Sequence, residues 1–311
     1  MNHMINADEL EAVFNEKLST ELKEKINNYK LTYASVDNEE RDRYLLKIIE
    51  VLLHDDLVEA GVHRLLDWEK GWGENRDQYD KNANFESLMP KYFGKYGLIR
   101  WKQQLVKPVS YNFDYYILAV ILDWIFEKYR IFEFDNIYEF GCGTGHNLFR
   151  IREFNKHAKL WGLDWATSSQ EIIEKYAIEQ RDMNLFAQRF DFFNPNFEFR
   201  IQPNSLIYTV ESIEQIGNQY ELFVQYLLDQ QPMLCIHIEP ISELLDSTNL
   251  LDYLSIKYIE KRKYLSGYYD YLLKLEKMGN LKILQAQRTY VGSLFVEGYS
   301  VIAWSPIEVN Q

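Results

Sequence analysis

The chain has 311 residues, with 34 basic and 47 acidic side chains and a net charge of −13. A hydrophobic share of 47% and a charged share of 26% are those of a globular protein with a sizeable core, which excludes intrinsic disorder for most of the chain. The negative sum argues against nucleic acid as the main partner, because phosphates need a clustered basic surface.

The first hundred or so residues read as helical. Residues 7–28 lack Pro and Gly and keep Leu10, Val13, Phe14 and Leu18 on one face. Asp37 followed by Glu40 is a capping-box start, and Tyr44, Leu45, Ile48, Ile49 and Leu52 follow at helical spacing. The texture changes at Trp68. Residues 71–108 mix Gly, Asn, Lys and aromatics with weak periodicity, which predicts a partly ordered loop or lid. A further helix is expected over residues 114–129. From Asn136 onward short apolar runs, at residues 137–140, 160–163, 206–210, 233–238, 281–284 and 299–304, alternate with helical stretches. That alternation predicts an α/β fold with a doubly wound, mostly parallel sheet.

Cys142 and Cys235 are far apart and offer neither a disulfide framework nor a zinc spacing, which suits a reducing cytoplasm. The first residues turn acidic at once and lack the apolar core of a signal peptide. The longest strongly apolar run, residues 115–122, is stopped by Asp123, far short of the ~20 residues a membrane span needs. The expectation is a cytoplasmic protein with no membrane partner. The 23 Tyr, 18 Phe and 7 Trp include many rings with a polar tip that suit clefts and interfaces.

Directly after the run at residues 137–140 stand Glu139, Gly141, Gly143 and Gly145, spaced E-x-G-x-G-x-G. Such glycines turn the chain sharply from strand to helix and let a ligand approach the backbone. A dinucleotide fingerprint, G-x-G-x-x-G, fails because its last position is His146. Acids end the next two runs, Asp164 before Trp165 and, closing a short third run at residues 188–191, Asp191 before Phe192. The fourth ends in Glu211, Glu214 and Gln215, and the fifth in His237, Glu239 and Pro240. Ser168 with Glu171 reads as a helix cap after Asp164.

In its order and spacing this set resembles class I S-adenosylmethionine-dependent methyltransferases of the small-molecule type, over about residues 130–305. The resemblance implies a Rossmann-like core at residues 111–311, behind a helical N-terminal extension and substrate lid at residues 1–110. It implies S-adenosylmethionine as cofactor and S-adenosylhomocysteine as product. Glu139 and the glycine loop would contact the amino-acid half, Asp164 the ribose hydroxyls and Trp165 the adenine face. Asp191 would take the adenine amino group, and the Phe192 amide a ring nitrogen. Glu211 counts with the cofactor residues as well as with the catalytic ones.

A hydroxyl acceptor profits from a base. The candidates at strand carboxyl ends are Glu211, His237 and Glu239, the last two on one strand face. Glu211, Glu214 and His237 have ligand types for a divalent ion, but Gln215 stands where a better ligand is common, so no metal is expected. The cover over the acceptor is expected in residues 68–108, with Tyr92, Arg100, Trp101 and Gln103 as substrate contacts. Tyr264, Tyr268, Tyr269 and Tyr271 sit where the family often places substrate or homodimer contacts. The function expected is methyl transfer, O-methylation before N or C, to a sugar, a nucleotide-linked sugar or another small polar metabolite. The alternatives are a protein or RNA methyltransferase, or a catalytically silent S-adenosylmethionine-binding module.

Overall fold

The computed structural model describes residues 2–55 and 57–307. In its N-terminal part the chain runs β1 (Asn2–Met4), α1 (Ala7–Phe14), α2 (Thr20–Tyr29), β2 (Thr32–Ser35), α3 (Asn38–Leu53), α4 (Leu65–Asn82), β3 (Ile99–Trp101), β4 (Gln104–Pro108) and α5 (Phe113–Lys128). The core follows as β5 (Asn136–Phe140), α6 (His146–Arg150), β6 (Lys159–Asp164), α7 (Thr167–Gln180), β7 (Leu185–Arg189), β8 (Ser205–Val210) and α8 (Glu221–Gln230). It ends with β9 (Leu234–Glu239), α9 (Leu250–Arg262), α10 (Tyr268–Lys277), β10 (Leu281–Gln287), β11 (Val291–Gly292) and β12 (Ser300–Pro306).

The core sheet has seven strands in the order β10-β12-β9-β8-β5-β6-β7. β7, β6, β5, β8 and β9 pair in parallel, while β12 is antiparallel to both of its neighbours. This is the Rossmann-like, doubly wound, mostly parallel sheet expected from the alternating pattern. The chain winds one way from β5 to β6 and β7 and the other way from β8 onward, so the crossover reverses between β5 and β8. The crevice beyond the carboxyl ends at such a reversal is where open α/β sheets bind ligands. β5, β8 and β9 are buried along their whole length, as strands covered on both faces must be.

The N-terminal part departs from an all-helical reading. Residues 7–28 form two helices, not one, because Asn15 takes a left-handed conformation and ends α1. Asp37 does cap α3, accepting from the Glu40 amide at 2.8 Å. A second, antiparallel sheet has the order β1-β2-β4-β3-β11. Its last strand comes from the C-terminal part of the chain and pairs Val291 with Trp101 and Gly292 with Arg100. Strands of two to five residues, most of them with a partner far away in sequence, leave no periodic signal to read.

The expected loop from residue 71 begins inside a helix. α4 runs straight through Gly71 and Gly73, although a helical glycine costs about 1 kcal/mol against alanine. Tertiary anchors offset that cost. Arg76 donates to Glu171 at 2.5 Å, Lys175 to Asp80 at 2.5 Å, and the Tyr79 hydroxyl to Glu179 at 2.5 Å. Glu69 accepts from the amides of Thr167 and Ser168 at 2.6 and 3.0 Å. The first turn of α7 is thus capped from another helix, not by Ser168 and Glu171. α4 is thereby fixed across the carboxyl edge of the core sheet. No helix among the described residues is long and apolar enough to cross a membrane.

Candidate active site

The glycine loop leaves β5 under main-chain control from the next strand. The amides of Gly141 and Cys142 donate to the Leu163 carbonyl at 2.7 and 3.1 Å. The Gly143 amide donates to Asp164 Oδ2 at 2.9 Å, and the Ala166 amide to Oδ1 at 2.9 Å. Gly143 has φ +53°, and a Cβ there would lie 2.8 Å from the Trp72 ring of α4. A side chain at Gly143 would therefore strike the protein itself. Gly145, with φ +77°, precedes α6 and packs against Phe149.

A cavity of about 370 Å³ opens at the strand reversal. Its core wall is Glu139, Gly141, Cys142, Gly143, Asp164, Trp165, Phe192 and Glu211, with Glu214 and Gln215 beyond. Its outer wall comes from Arg64, Trp68 and Trp72, from Tyr92, Lys95 and Tyr96, from Tyr258, Arg262 and Tyr264, and from Phe295. Trp68 and Trp72 stack at 5.4 Å, and the Trp72 indole lies against Gly143 of the glycine loop. Trp165 stacks on Phe193 at 5.9 Å, which leaves flat faces beside Asp164.

The electrostatics of the core wall are those of enclosed acids. Burial lifts Glu139 to about 8, although the Tyr208 hydroxyl at 2.9 Å and the Asn147 amide at 3.3 Å pull the other way. Burial lifts Asp164 to about 6 against its two amide donors. Glu214 is raised to about 8, by burial and then by the Glu239 carboxylate. Glu211 is raised well above the usual carboxylate range by burial and by Glu214 and Glu239. Glu211 also holds φ +46°, a left-handed conformation rare for a side-chain-bearing residue. These carboxyl groups suit a cationic ligand, whose charge favours their ionised form.

Several sequence candidates lie elsewhere. His237 is fully buried, hydrogen-bonds Thr209 Oγ1 through Nδ1 at 3.0 Å, and is ringed by Phe223, Tyr268 and Trp304. Burial holds it down at about 3, so it is neutral and cut off from the cavity. The strand face that carries it points into the hydrophobic core. Glu239 is also fully buried, and its carboxylate accepts the Ser212 amide at 3.0 Å and those of Ile213 and Glu214. It braces the turn that presents Glu211 and does not touch the cavity. Asp191 accepts the Phe193 amide at 2.9 Å and shapes its own turn. The Phe192 ring beside it reaches the cavity, but Asp191 does not.

Of the four expected substrate contacts only Tyr92 lines the cavity. Arg100 is buried and gives its guanidinium to the carbonyls of Leu251, Leu294 and Phe295 at 2.5, 3.2 and 3.0 Å. Trp101 is buried in the core, and Gln103 donates to Asp252 at 2.8 Å. All three sit on or beside the short N-terminal sheet, which turns them away from the cavity. In the tyrosine cluster Tyr264 lines the cavity, whereas Tyr268 is buried against His237 and Tyr220. Sequence reading missed Arg64, Trp72, Lys95, Tyr96, Tyr258, Arg262 and Phe295. Trp72 carried the one usable signal, an aromatic four residues after Trp68. Among the described residues no group of three or more His, Cys, Asp or Glu is placed to hold a metal ion.

The sequence matches no protein-family model and no curated protein. Among solved structures, the chain is similar to a coclaurine N-methyltransferase bound to N-methylheliamine and S-adenosylhomocysteine. The identity is 14%, over 91% of this chain and 74% of that one, with a TM-score of 0.44. It is also similar to the N-methyltransferase NodS from Bradyrhizobium japonicum, at 11% identity over 62% of this chain and 87% of that one, TM-score 0.45. A small RNA methyltransferase shares 16% identity over 62% of this chain but only 26% of that one, TM-score 0.45. Likeness at this level says nothing about chemistry. The fold is Rossmann-like on its own strand order, and the function has to be read from the residues around the cavity.

Proposed function

We propose that this chain is an S-adenosylmethionine-dependent methyltransferase acting on a small polar acceptor, by O-methylation of a sugar, a nucleotide-linked sugar or another metabolite. The observation that carries the reading is one cavity at the strand reversal that joins the glycine loop, Asp164 with Trp165, and Glu211. The residues fit the cofactor. Each Asp164 oxygen spends one lone pair on an amide and keeps another for a ribose hydroxyl. Glu139, enclosed and raised to about 8, gains a partner from an ammonium or sulfonium charge. His146 lines the same wall, and its Nε2 is enclosed without a hydrogen-bond partner.

When bound, S-adenosylmethionine supplies a methyl group on a sulfonium, a reactive electrophile with a good leaving group. The protein then has to position the acceptor in line and exclude water. Trp68, Trp72 and Tyr92 enclose the cavity from outside. Glu211 is the residue placed to take a proton from an acceptor hydroxyl. A carboxylate with a raised affinity for protons is a stronger base once ionised, and a cationic neighbour favours that ionised form. Glu239 is a positioning residue in this scheme, because it holds the amides of residues 212–214.

Calorimetry tests the reading directly. S-adenosylmethionine and S-adenosylhomocysteine should bind at one site per chain, and NAD should not. Binding of NAD, or of neither methyl-cycle ligand, overturns it.

A further inference from the structure

The outer end of the cavity has a different chemistry from the glycine-loop end. In a chain of net charge −13, two guanidinium groups line it. Arg64 sits at the start of α4, with its guanidinium 5.7 Å from the Trp68 ring. Arg262 ends α9, 4.8 Å from the Tyr264 ring, and donates to the Tyr264 hydroxyl at 2.8 Å. The two act on the same neighbours. Both draw the Glu214 carboxyl and the Tyr258 hydroxyl toward their ionised forms.

Neither guanidinium is saturated. Arg64 Nε pairs with the exposed Asp67 at 2.7 Å, but its Nη1 is enclosed and donates to nothing. Arg262 Nε is likewise enclosed without a partner, and Arg262 forms no ion pair with a carboxylate among the described residues. The Trp68 Nε1 donor beside them is also unpartnered. Glu214 forms no ion pair with either guanidinium among the described residues, and its Oε1 accepts from Gln215 Nε2 at 2.7 Å. Arg64, Trp68 and Arg262 all line this cavity, and each keeps an enclosed N–H donor without a partner; two guanidiniums and an indole with unmatched donors form an oxyanion-binding set. The flat faces of Trp68, Tyr258 and Tyr264 flank it.

We propose that this end of the cavity is an acceptor subsite for an oxyanion, a carboxylate or a phosphate ester, gripped by Arg64 and Arg262 and flanked by the rings of Trp68, Tyr258 and Tyr264. The inference rests on the methyltransferase reading in assigning the oxyanion to the methyl acceptor. The subsite itself stands on the donor set alone. It narrows the acceptor to a small molecule that carries a negative group at one end and presents its nucleophile toward Glu211 at the other.

The test is a titration of the full chain with phenyl phosphate, benzoate and neutral benzyl alcohol, with and without saturating S-adenosylhomocysteine. At least one of the anions should bind one per chain, at least about tenfold more tightly than the alcohol, as charge-assisted hydrogen bonds require. The preference between the two anions tells a phosphate site from a carboxylate site. Arg64→Gln and Arg262→Gln should each weaken that anion by about tenfold. Arg262→Lys, which keeps the charge but not the fork, should lose less. Affinity for S-adenosylhomocysteine should stay within about twofold of wild type, because neither arginine touches the glycine loop. If Arg262→Gln does not fold, Arg64→Gln and Arg262→Lys decide. Anions that bind no better than the alcohol, or that bind unchanged to the folded variants, overturn the subsite. If S-adenosylhomocysteine fails to bind while the anions do, the methyltransferase reading falls and the subsite stands.

Discussion

The two walls of the cavity are built on opposite principles. The core wall comes from short segments at the carboxyl ends of parallel strands: residues 139–143 at the end of β5, Asp164 and Trp165 at the end of β6, and residues 211–215 after β8. Each group is placed by its own strand and the one beside it, and the wall is acidic. The outer wall comes from residues 64–72, 92–96, 258–264 and 293–296, which meet only because α4, the small sheet and α9 converge. It is aromatic and carries the cations. The core wall thus suits a part common to many reactions, a nucleoside with a positive charge. Under the proposed function, the outer wall is where one acceptor would be told from another.

The strongest way to break this contrast is at Glu211, the core-wall carboxylate proposed as the base. Glu211→Gln should lower turnover by about 10²–10⁴-fold if Glu211 is the general base. Affinity for S-adenosylhomocysteine should hold within a few-fold, read by calorimetry. Turnover close to wild type would leave the acceptor without a protein base and move Glu211 to a purely binding role.

Arg100 tests the division from the structural side. Arg100→Ala strips donors from three enclosed carbonyls, so urea unfolding should show a loss of about 3 kcal/mol or more. Cofactor affinity should not move. A stable variant with weakened acceptor binding would return Arg100 to the site and spoil the separation of the walls.

Asp164 sharpens the core wall. Asp164→Ala should weaken S-adenosylmethionine binding by about tenfold or more, the equivalent of one hydrogen bond to a charged group. It should also lower Tm, because the Gly143 and Ala166 amides lose their acceptor. A lower Tm with unchanged affinity would make Asp164 a brace of the loop alone.

The acids of the core wall, with Glu239 buried behind them, set a pH dependence with a definite sign. Asp164, Glu239, Glu139 and Glu214 are raised to about 6, 7, 8 and 8 by burial. Each holds its proton more tightly in the folded chain than in the unfolded one. Their contribution to the stability of the ligand-free protein is therefore lost as pH rises from the ordinary carboxylate range near ~4 to about 8, while His146 and His237, held at about 3 by burial, offset part of that loss up to the ordinary histidine value near ~6.5. The sulfonium ligand should gain affinity over its uncharged product in the upper part of that window. Thermal melts at pH 5.5 and 8.5 show the sign, and a Tm that rises with pH would contradict the enclosure of these groups.

The smallest expected effect is in the cover. A lid spanning residues 68–108 would include α4 and the β3–β4 pair, both held by tertiary bonds. Hydrogen exchange should find those elements already protected without ligand. Residues 90–97, which carry Gly94 and Gly97 at φ +68° and +71°, should exchange fast and slow down when ligand binds. Full protection of 90–97 in the free chain would leave no lid.

The core wall was legible because its rules are local. An acid before a glycine turn, or at the end of a parallel strand, is placed by its own strand, so Glu139, Gly141, Gly143, Asp164, Trp165 and Glu211 stood out in the sequence, and the resemblance to methyltransferases then implied their roles. Strand parity was legible too, and it put His237 and Glu239 on one face. Parity does not say which face meets solvent. That depends on β12 and α10 closing over the far side, which buried His237 among Tyr268 and Trp304.

The rest was decided by tertiary structure. Gly71 and Gly73 lower the local preference for helix, and only the bonds from α4 to α7 overrule it. β3 is three residues long, and pairing with β4 and β11 fixes which way Arg100 points. Arg64 and Arg262 are 198 positions apart by their numbers, and no pattern joins them. The sequence determined the sheet, the strand ends and the acids that stand on them, because those follow from hydrogen bonding and burial within a few residues. Which aromatics and cations face those acids was decided by how α4, α9 and the small sheet pack across the carboxyl edge, since a side chain's neighbours there come from chain segments with no local tie to it.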